Sequence, residues 1–228
     1  MERRKFTAGV LGAGAAGLWW PAWLQAAALS ETDAASGVRA ALEKGAVVAV
    51  QLLGRPGGFL DNPKVRIPLP GYLNDAAKLL RATGQKRRVE ELELAMNRAA
   101  EAAVPEAQTL LVQAVKSISV EDALKLVRGS DTAVTDFFVA KTRAPLGEKF
   151  LPIVTQATEK VQLAERYNAV AGRAMGLGLL KPEEANVQKY VTGRALDGLY
   201  LMIGEEEKKI RANPVETGSA LLRRVFGG

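Results

Sequence analysis

The sequence predicts an all-α protein, a single compact multi-helix domain with one proline-rich extended strap, preceded by an N-terminal signal peptide. Three observations support this fold class. Apolar residues recur at the three- and four-residue spacing of a helix along most of the chain, as between Val89 and Ala103. The S-x-x-D capping signature occurs at Ser30–Asp33 and again at Ser119–Asp122. Apart from the strap, no segment alternates in the manner of a strand.

Residues 1–28 have the three-part layout of a secretory signal peptide. A basic head containing Arg3 and Arg4 precedes an uncharged stretch that begins at Phe6, and Ala26 and Ala28 form a small-x-small cleavage site. Two arginines followed by an apolar residue resemble the twin-arginine export signal, which we favour over the general secretory route. The mature chain, residues 29–228, is therefore expected in the bacterial periplasm.

Two other interpretations of the N-terminus are weaker. Residues Gly12–Gly17 match the G-x-G-x-x-G of dinucleotide-binding folds, but Pro21 breaks the helix that must follow, and no parallel strands come later. The uncharged stretch is long enough to span a bilayer, but its glycines and its cleavage site favour removal. We expect no stable membrane span after signal cleavage.

The domain at residues 29–228 divides into helices at glycines, prolines and capping residues. Gly129 closes one helix, Pro105 either kinks a helix or starts the next, and Gly204 either separates two helices or bends a single long one. Ser130 or Asp131 caps the helix that ends near Lys141. The predicted helices cover approximately residues 30–53, 72–83, 85–104, 105–117, 120–128, 131–141, 145–161, 163–175, 182–203, 205–212 and 217–225.

The strap, residues 62–70, contains three prolines and cannot be helical. Val65, Ile67 and Leu69 alternate at a spacing of two, so one edge of the extended segment is apolar. We interpret it as a strap that lies over the helices and seals the core. The alternative is a lid over a pocket.

Composition excludes several classes of function. The chain has no cysteine and no histidine, so one copy of it can form no disulfide, thiolate nucleophile, histidine base or Cys/His zinc site. The net charge of +6 is a mild, scattered excess, whereas nucleic-acid binding requires clustered basic residues. No S-x-x-K motif is present. We assign no catalytic residue, no metal, no cofactor and no nucleic-acid partner.

A polar line runs along the predicted helix around Met96. Glu93, Asn97 and Glu101 are spaced four residues apart on a helix that is small and apolar over much of its circumference, and Arg98 lies nearby. Buried carboxylates must be paired or neutralised. We favour an internal network with Arg98 as the partner. The alternatives are a polar ligand-binding or acid–base site and an all-oxygen cation site, so all four polar residues remain candidates for ligand binding.

A second group of candidates lies further along the chain. Tyr190, Asp197 and Tyr200 can share one helix face, and Arg211 follows Glu207 by four residues, a spacing typical of a solvent-exposed ion pair. The candidate ligand-binding residues from this group are Lys141, Thr142, Tyr190, Asp197 and Arg211.

These motifs, in their order and spacing, resemble a family of exported bacterial proteins known as domain-of-unknown-function family 4197. The likeness runs from Asn62-Pro63 and the strap through Glu93–Glu101 and Ala195–Leu199 to Val225–Gly227, which is essentially the whole mature chain. The resemblance implies an exported, mostly helical domain and brings no catalytic assignment.

We predict a non-enzymatic binding or envelope-associated module, whose partner is an unknown small molecule or envelope protein. One alternative is a carboxylate-dependent hydrolase acting on an envelope component, which needs two facing acids in an open cleft. The other is a structural scaffold, which needs an exposed apolar patch. A small-molecule binder instead needs a concave pocket with a few polar groups.

Overall fold

Helices account for most of the chain that the structure describes. The computed structural model describes residues 31–71, 77–78, 81–84, 86–159, 164–165, 167–168, 176 and 186–213, and these ranges contain no strand. The long helices are α1 (Glu31–Gly54), α2 (Lys86–Ala103), α3 (Ala107–Lys116), α4 (Val120–Arg128), α5 (Ala133–Thr158) and α6 (Val187–Ala212), with a 3-10 turn at Val104–Glu106. The predicted all-α class is therefore confirmed.

The core forms around α5 and α6. These helices pack against each other, α2 packs on both, and α1 crosses α3, α4 and α6. Helix α5 buries every fourth residue along its length, namely Val134, Phe138, Thr142, Leu146, Phe150, Val154 and Thr158. Because a helix has 3.6 residues per turn, a stripe with a spacing of four winds around it. Successive faces of α5 can therefore contact α2, α3, α4 and α6 within one core.

The predicted break between Lys141 and Pro145 was wrong. Helix α5 is continuous from Ala133 to Thr158 and contains both Pro145 and Pro152. A proline removes a backbone donor and leaves the carbonyl four residues earlier without its helical partner. Here those carbonyls belong to the exposed residues Lys141 and Glu148, where water can bind them. Packing of the buried stripe then outweighs the local cost of each proline.

Three other predicted boundaries can be compared with the helix ends. Ser119 caps α4 as predicted, since its hydroxyl accepts a hydrogen bond from Asp122 N at 3.0 Å. The cap of α5 is Thr132 rather than Ser130 or Asp131, and its side chain makes no capping bond. Helix α6 begins at Val187 rather than Pro182, because Asn186 is extended and its side chain accepts from Lys189 N.

Gly129 and Gly204 illustrate different roles of glycine. Gly129 ends α4 as predicted, but its φ is −74°, so the residue is not in a left-handed conformation. Space explains its identity, because a Cβ there would lie 2.7 Å from the Cβ of Ala133. Gly204 lies inside α6, which continues through it to Ala212. The single-helix alternative was therefore correct for this segment.

The strap lies against the helical core. Val65, Ile67 and Leu69 are buried, whereas the intervening Arg66 and Pro68 are exposed. Ahead of the strap, Phe59 is fully buried in the turn at residues 55–61, and a Cβ at Gly198 of α6 would lie 2.7 Å from its ring. The absence of a side chain at Gly198 thus creates the space that the Phe59 ring fills.

Several predictions lie outside the described residues. They include the signal peptide, with Arg3, Arg4, Phe6, Ala26 and Ala28, the Ser30 cap and the helix at 217–225. Most of the predicted helices at 72–83 and 163–175 also lies outside, although the described positions 77–78, 81–82, 164–165 and 167–168 are helical. Among the described helices, none has the length and apolar character needed to cross a membrane.

Candidate functional site

Asn97 on α2 holds the strap by its backbone. Its side-chain oxygen accepts a hydrogen bond from Ile67 N at 2.8 Å, and its amide nitrogen donates to Ile67 O at 3.0 Å and to Glu93 O at 2.8 Å. The residue is fully buried. These bonds use both amide hydrogens, so Asn97 pairs with the strap as a neighbouring β-strand would.

Glu101, one turn further along α2, holds the turn before the strap. Its Oε1 accepts hydrogen bonds from Phe59 N and Leu60 N, both at 3.1 Å. Its Oε2 accepts from the Arg98 guanidinium at 2.6 Å. The buried carboxylate is therefore both hydrogen-bonded and charge-paired, as burial requires. This geometry agrees with the internal network that we favoured for the polar line.

Glu93 lies at the outer end of the same line and faces two arginines. Its carboxylate contacts Arg66 of the strap at 3.4 Å and Arg81 at 3.1 Å. Glu93, Asn97 and Glu101 thus all bind protein donors or backbone. Among the described residues, no group of three acidic side chains is arranged to hold a metal ion.

The second candidate group is split between the inside and the surface of the α5–α6 pair. Thr142 donates to Phe138 O at 2.6 Å and shares a 2.8 Å hydrogen bond with the buried hydroxyl of Tyr200. Burial raises the pKa of Tyr200, while the Thr142 hydrogen bond and the nearby positive charge of Arg143 act in the opposite direction. Asp197 is exposed and pairs with Arg143 at 2.7 Å.

The remaining members of that group are spread over the molecule. Tyr190 donates from its hydroxyl to Pro68 O at 3.1 Å and so contacts the strap, whereas Lys141 is exposed on α5. A groove of about 330 Å³ runs beside Asp197, Tyr200 and Arg143. The structure therefore brings Thr142, Asp197 and Tyr200 together but leaves Tyr190 and Arg211 at other places on α6.

Our interpretation of Glu207 and Arg211 as a solvent-exposed pair was wrong. Glu207 is buried and accepts from Val134 N at 3.1 Å and Thr135 N at 3.0 Å, two amides in the first turn of α5. Arg211 binds Glu207 at 2.9 Å and donates to carbonyls at the end of α4. The pair satisfies both helix ends at the α4–α5 junction. An i,i+4 spacing alone cannot separate this arrangement from a surface pair.

Sequence reasoning also missed a chain of uncharged polar groups between α5 and α6. Val187 N donates to Asn168 Oδ1 at 2.9 Å, and Asn168 Nδ2 donates to Gln188 Oε1 at 2.9 Å. Gln188 Nε2 donates to Thr158 Oγ1 at 3.1 Å, which donates to Val154 O at 2.8 Å. The signal that could have found it is the fourth-residue stripe on α5, which ends in a threonine rather than an apolar residue.

This chain of polar groups borders a groove of about 490 Å³, which we call the amide groove. Its exposed lining includes Glu159, Glu165 and Lys189. Its buried or half-buried polar lining is Thr155, Thr158, Asn168, Asn186 and Gln188. The volume is within the range of small-molecule sites.

The fold and the candidate site define the class of this protein as a helical domain. Its buried charged side chains bind its own backbone, and its open grooves carry polar side chains. Residues 28–227 match the family described as Protein of unknown function (DUF4197). The chain belongs to this family, as its sequence resemblance indicated. No curated protein and no solved structure matches it.

Proposed function

We propose that this chain is a non-enzymatic binding module of the bacterial periplasm. The amide groove carries the proposal, because it offers a concavity of small-molecule size lined by polar side chains with fixed orientations. The export part rests on the sequence of residues 1–28, and the family match begins at residue 28, where the signal is predicted to end.

The buried acids support binding rather than acid–base catalysis. Among the described residues, the buried carboxylates are Glu101 and Glu207. Each already accepts two backbone N–H groups and pairs with an arginine of its own helix. A carboxylate held in this way has no open position for a substrate, whereas a glycosidase-type mechanism requires two acids that face the scissile bond.

The scaffold alternative receives less support from the surface. The large apolar residues that are exposed in the described chain are Val48, Leu94 and Leu201. They lie on three different helices, α1, α2 and α6. Scattered apolar residues of this kind are normal on a monomer and do not indicate an interaction patch.

Native mass spectrometry of the protein purified from the periplasm of its own host tests the proposal. We expect a mass that lacks the first 28 residues and an excess mass that survives gentle ionisation and disappears on denaturation. A cytoplasmic protein that retains residues 1–28 would contradict the export part. A mature protein without excess mass, in repeated preparations, would contradict tight binding.

A further inference from the structure

We propose that the amide groove recognises a secondary amide in a neutral ligand, the group shared by peptides and N-acetylated amino sugars. This inference rests on the proposed binding function and specifies the chemistry of its site. The argument proceeds from the orientation of the polar side chains, their remaining hydrogen-bonding capacity, the charge of the groove and a buried hydroxyl beside it.

Backbone groups at both ends fix the orientation of the two amides. At one end Val187 N can only donate, so Asn168 must present its oxygen there. At the other end Thr158 donates to a backbone carbonyl and therefore accepts from the nitrogen of Gln188. Both amides are consequently locked, and flipping either one would place two donors or two acceptors against each other.

Each locked amide retains one donor and one acceptor position. A side-chain amide has two N–H hydrogens and two oxygen lone pairs, and the chain of bonds uses one of each at Asn168 and at Gln188. A secondary amide in a ligand carries one N–H and one C=O, which is the complementary set. The protein already uses this chemistry at Asn97, which binds both N–H and C=O of Ile67.

The charge of the groove favours a neutral ligand. Its buried lining of Thr158 and Gln188 carries no charge. The exposed lining contributes two carboxylates, Glu159 and Glu165, and one ammonium group, Lys189. Among the described lining residues an anion would therefore meet two like charges and one cation, and a strongly charged ligand would lose its hydration without gaining a buried counterion there.

Thr192 provides an independent observation. Its hydroxyl is buried, with the residue 7% exposed, and has no hydrogen-bond partner within the described chain. Thr192 lies one helical turn after Gln188 on the same face of α6. The pairs Thr158–Gln188 and Thr142–Tyr200 show that α5 and α6 are antiparallel, so this turn is level with Leu151, another lining residue of the groove. The unpartnered hydroxyl thus lies next to the groove, but Thr192 is not among the lining residues, so we assign it no ligand contact.

Two matched sugars and a peptide analogue test the assignment on the full mature chain. Diacetylchitobiose and cellobiose are both β-1,4-linked disaccharides of glucose type, but the acetamido groups occur in the first alone. N-acetyl-alanine methylamide carries secondary amides without a sugar. Titrations followed by ¹H–¹⁵N correlation spectra should shift the side-chain amide signals of Gln188 and Asn168. We expect at least one amide probe to bind roughly tenfold or more tightly than cellobiose, as one or two added hydrogen bonds allow.

Gln188→Met and Thr155→Val, both at lining residues, identify the site, with Thr132→Val at the far end of α5 as the control. Gln188→Met removes the central amide and can also disturb the fold. Thr155→Val is nearly isosteric and removes a lining hydroxyl whose hydrogen bond goes to Leu151 O of its own helix, so the unfolding free energy should change little. A roughly tenfold loss of affinity for the amide probe in either folded variant, with no loss in the control, supports the assignment.

Three results would overturn it: no response to either amide probe from a folded chain, equal affinity for cellobiose, or unchanged affinity in every folded groove variant. If the amide probes fail while the host-purified protein still carries excess mass, the binding function stands and this assignment falls. If both experiments are negative, both proposals fall. Between the two amide probes, the tighter one identifies the source as peptide or sugar.

Discussion

Glu101 on α2 and Glu207 on α6 are both buried, and each is paired with an arginine of its own helix, yet they hold different kinds of structure. Glu101 binds the turn before the strap, and Glu207 binds the first turn of α5. Their side chains are 5% and 3% exposed, whereas Arg98 is 44% exposed and Arg211 is 15% exposed. We call Glu101 with Arg98 the strap network and Glu207 with Arg211 the junction network. The strap network is thus open to water at its arginine, whereas the junction network is largely shielded from water.

The two carboxylates also distribute their oxygens differently. Glu101 uses Oε1 alone for the backbone N–H groups of Phe59 and Leu60 and leaves Oε2 for Arg98. Glu207 uses one oxygen for Val134 N and the other for Thr135 N. A glutamine can therefore replace the bonding pattern of Glu101 but not that of Glu207, because its NH₂ group would face a backbone donor.

The largest effect is expected for Glu207→Gln. This substitution leaves the half-buried Arg211 without its charge partner and places the new NH₂ group against a backbone N–H of α5. We expect a loss of about 3–5 kcal/mol in the free energy of unfolding, measured by urea denaturation. The control is Glu121→Gln on α4, which removes an exposed ion pair with Lys125 and should cost at most about 0.5 kcal/mol. Equal effects in the two variants would show that the junction network is not tightly coupled to folding.

The arginines provide the second test. Arg211→Met leaves Glu207 without its cation and removes the donors to Leu126 O and Val127 O, so we expect a loss of about 2–4 kcal/mol. Arg98→Met leaves the two backbone bonds of Glu101 in place and allows water to approach its other oxygen, so the loss should be at most about 1 kcal/mol. Urea denaturation of both variants under the same conditions gives the difference directly. If Arg98→Met were as costly as Arg211→Met, exposure of the cation would not explain the contrast.

Glu101→Gln should have a smaller and more local effect. Its carbonyl oxygen can still accept from Phe59 N and Leu60 N, while its NH₂ group faces an arginine that can move into solvent. We expect a loss of about 1–2 kcal/mol and faster hydrogen exchange at those two amides. Amides in the middle of α5 serve as the internal reference. Exchange that increases equally in α5 would mean that the turn and the helices open together.

Residue spacing was sufficient to predict the features that depend on one segment of the chain alone. The polar line on α2 needed helical periodicity alone, and the apolar edge of the strap needed a spacing of two. The hydrogen-bond partners of the buried acids could not be predicted from spacing, because Glu101 binds an amide 42 residues away and Glu207 binds one 73 residues away. The i,i+4 pattern of Glu207 and Arg211 is the same as that of the exposed pair Glu121 and Lys125.

Local rules also failed where packing opposed them. Pro145 was expected to start a new helix, but α5 continues through it, and through Pro152, because its buried stripe extends on both sides of them. The amide groove went unpredicted for a related reason, since Asn168 and Gln188 are ordinary polar residues until the fold places residues 167–168 beside the start of α6. The sequence could thus predict helices and which of their faces are apolar or polar. Which faces pack against each other could be seen only in the folded structure.

Glu205, an acidic residue of α6 that contacts the strap, provides the smallest effect and the sharpest contrast with Glu101 and Glu207. It contacts Lys64 of the strap at 2.6 Å, and both side chains reach solvent. The hydrogen bond and positive charge of Lys64 lower the pKa of Glu205 from its ordinary value of 4.5. A carboxyl with a lowered folded-state pKa stabilises the fold above its unfolded-state pKa and loses that contribution as the pH falls through its folded-state pKa.

The stability difference between the native chain and Glu205→Gln should therefore be present at neutral pH and decline once the pH falls below about 4.5. It should also shrink in concentrated salt, because exposed charges are screened. Urea denaturation at neutral and acidic pH, at low and high salt, measures both dependences. The junction pair provides the comparison, since the cost of Glu207→Gln should change much less with salt. A Glu205 effect that is insensitive to salt, or that grows at acidic pH, would mean that this contact fastens the strap by packing rather than by charge.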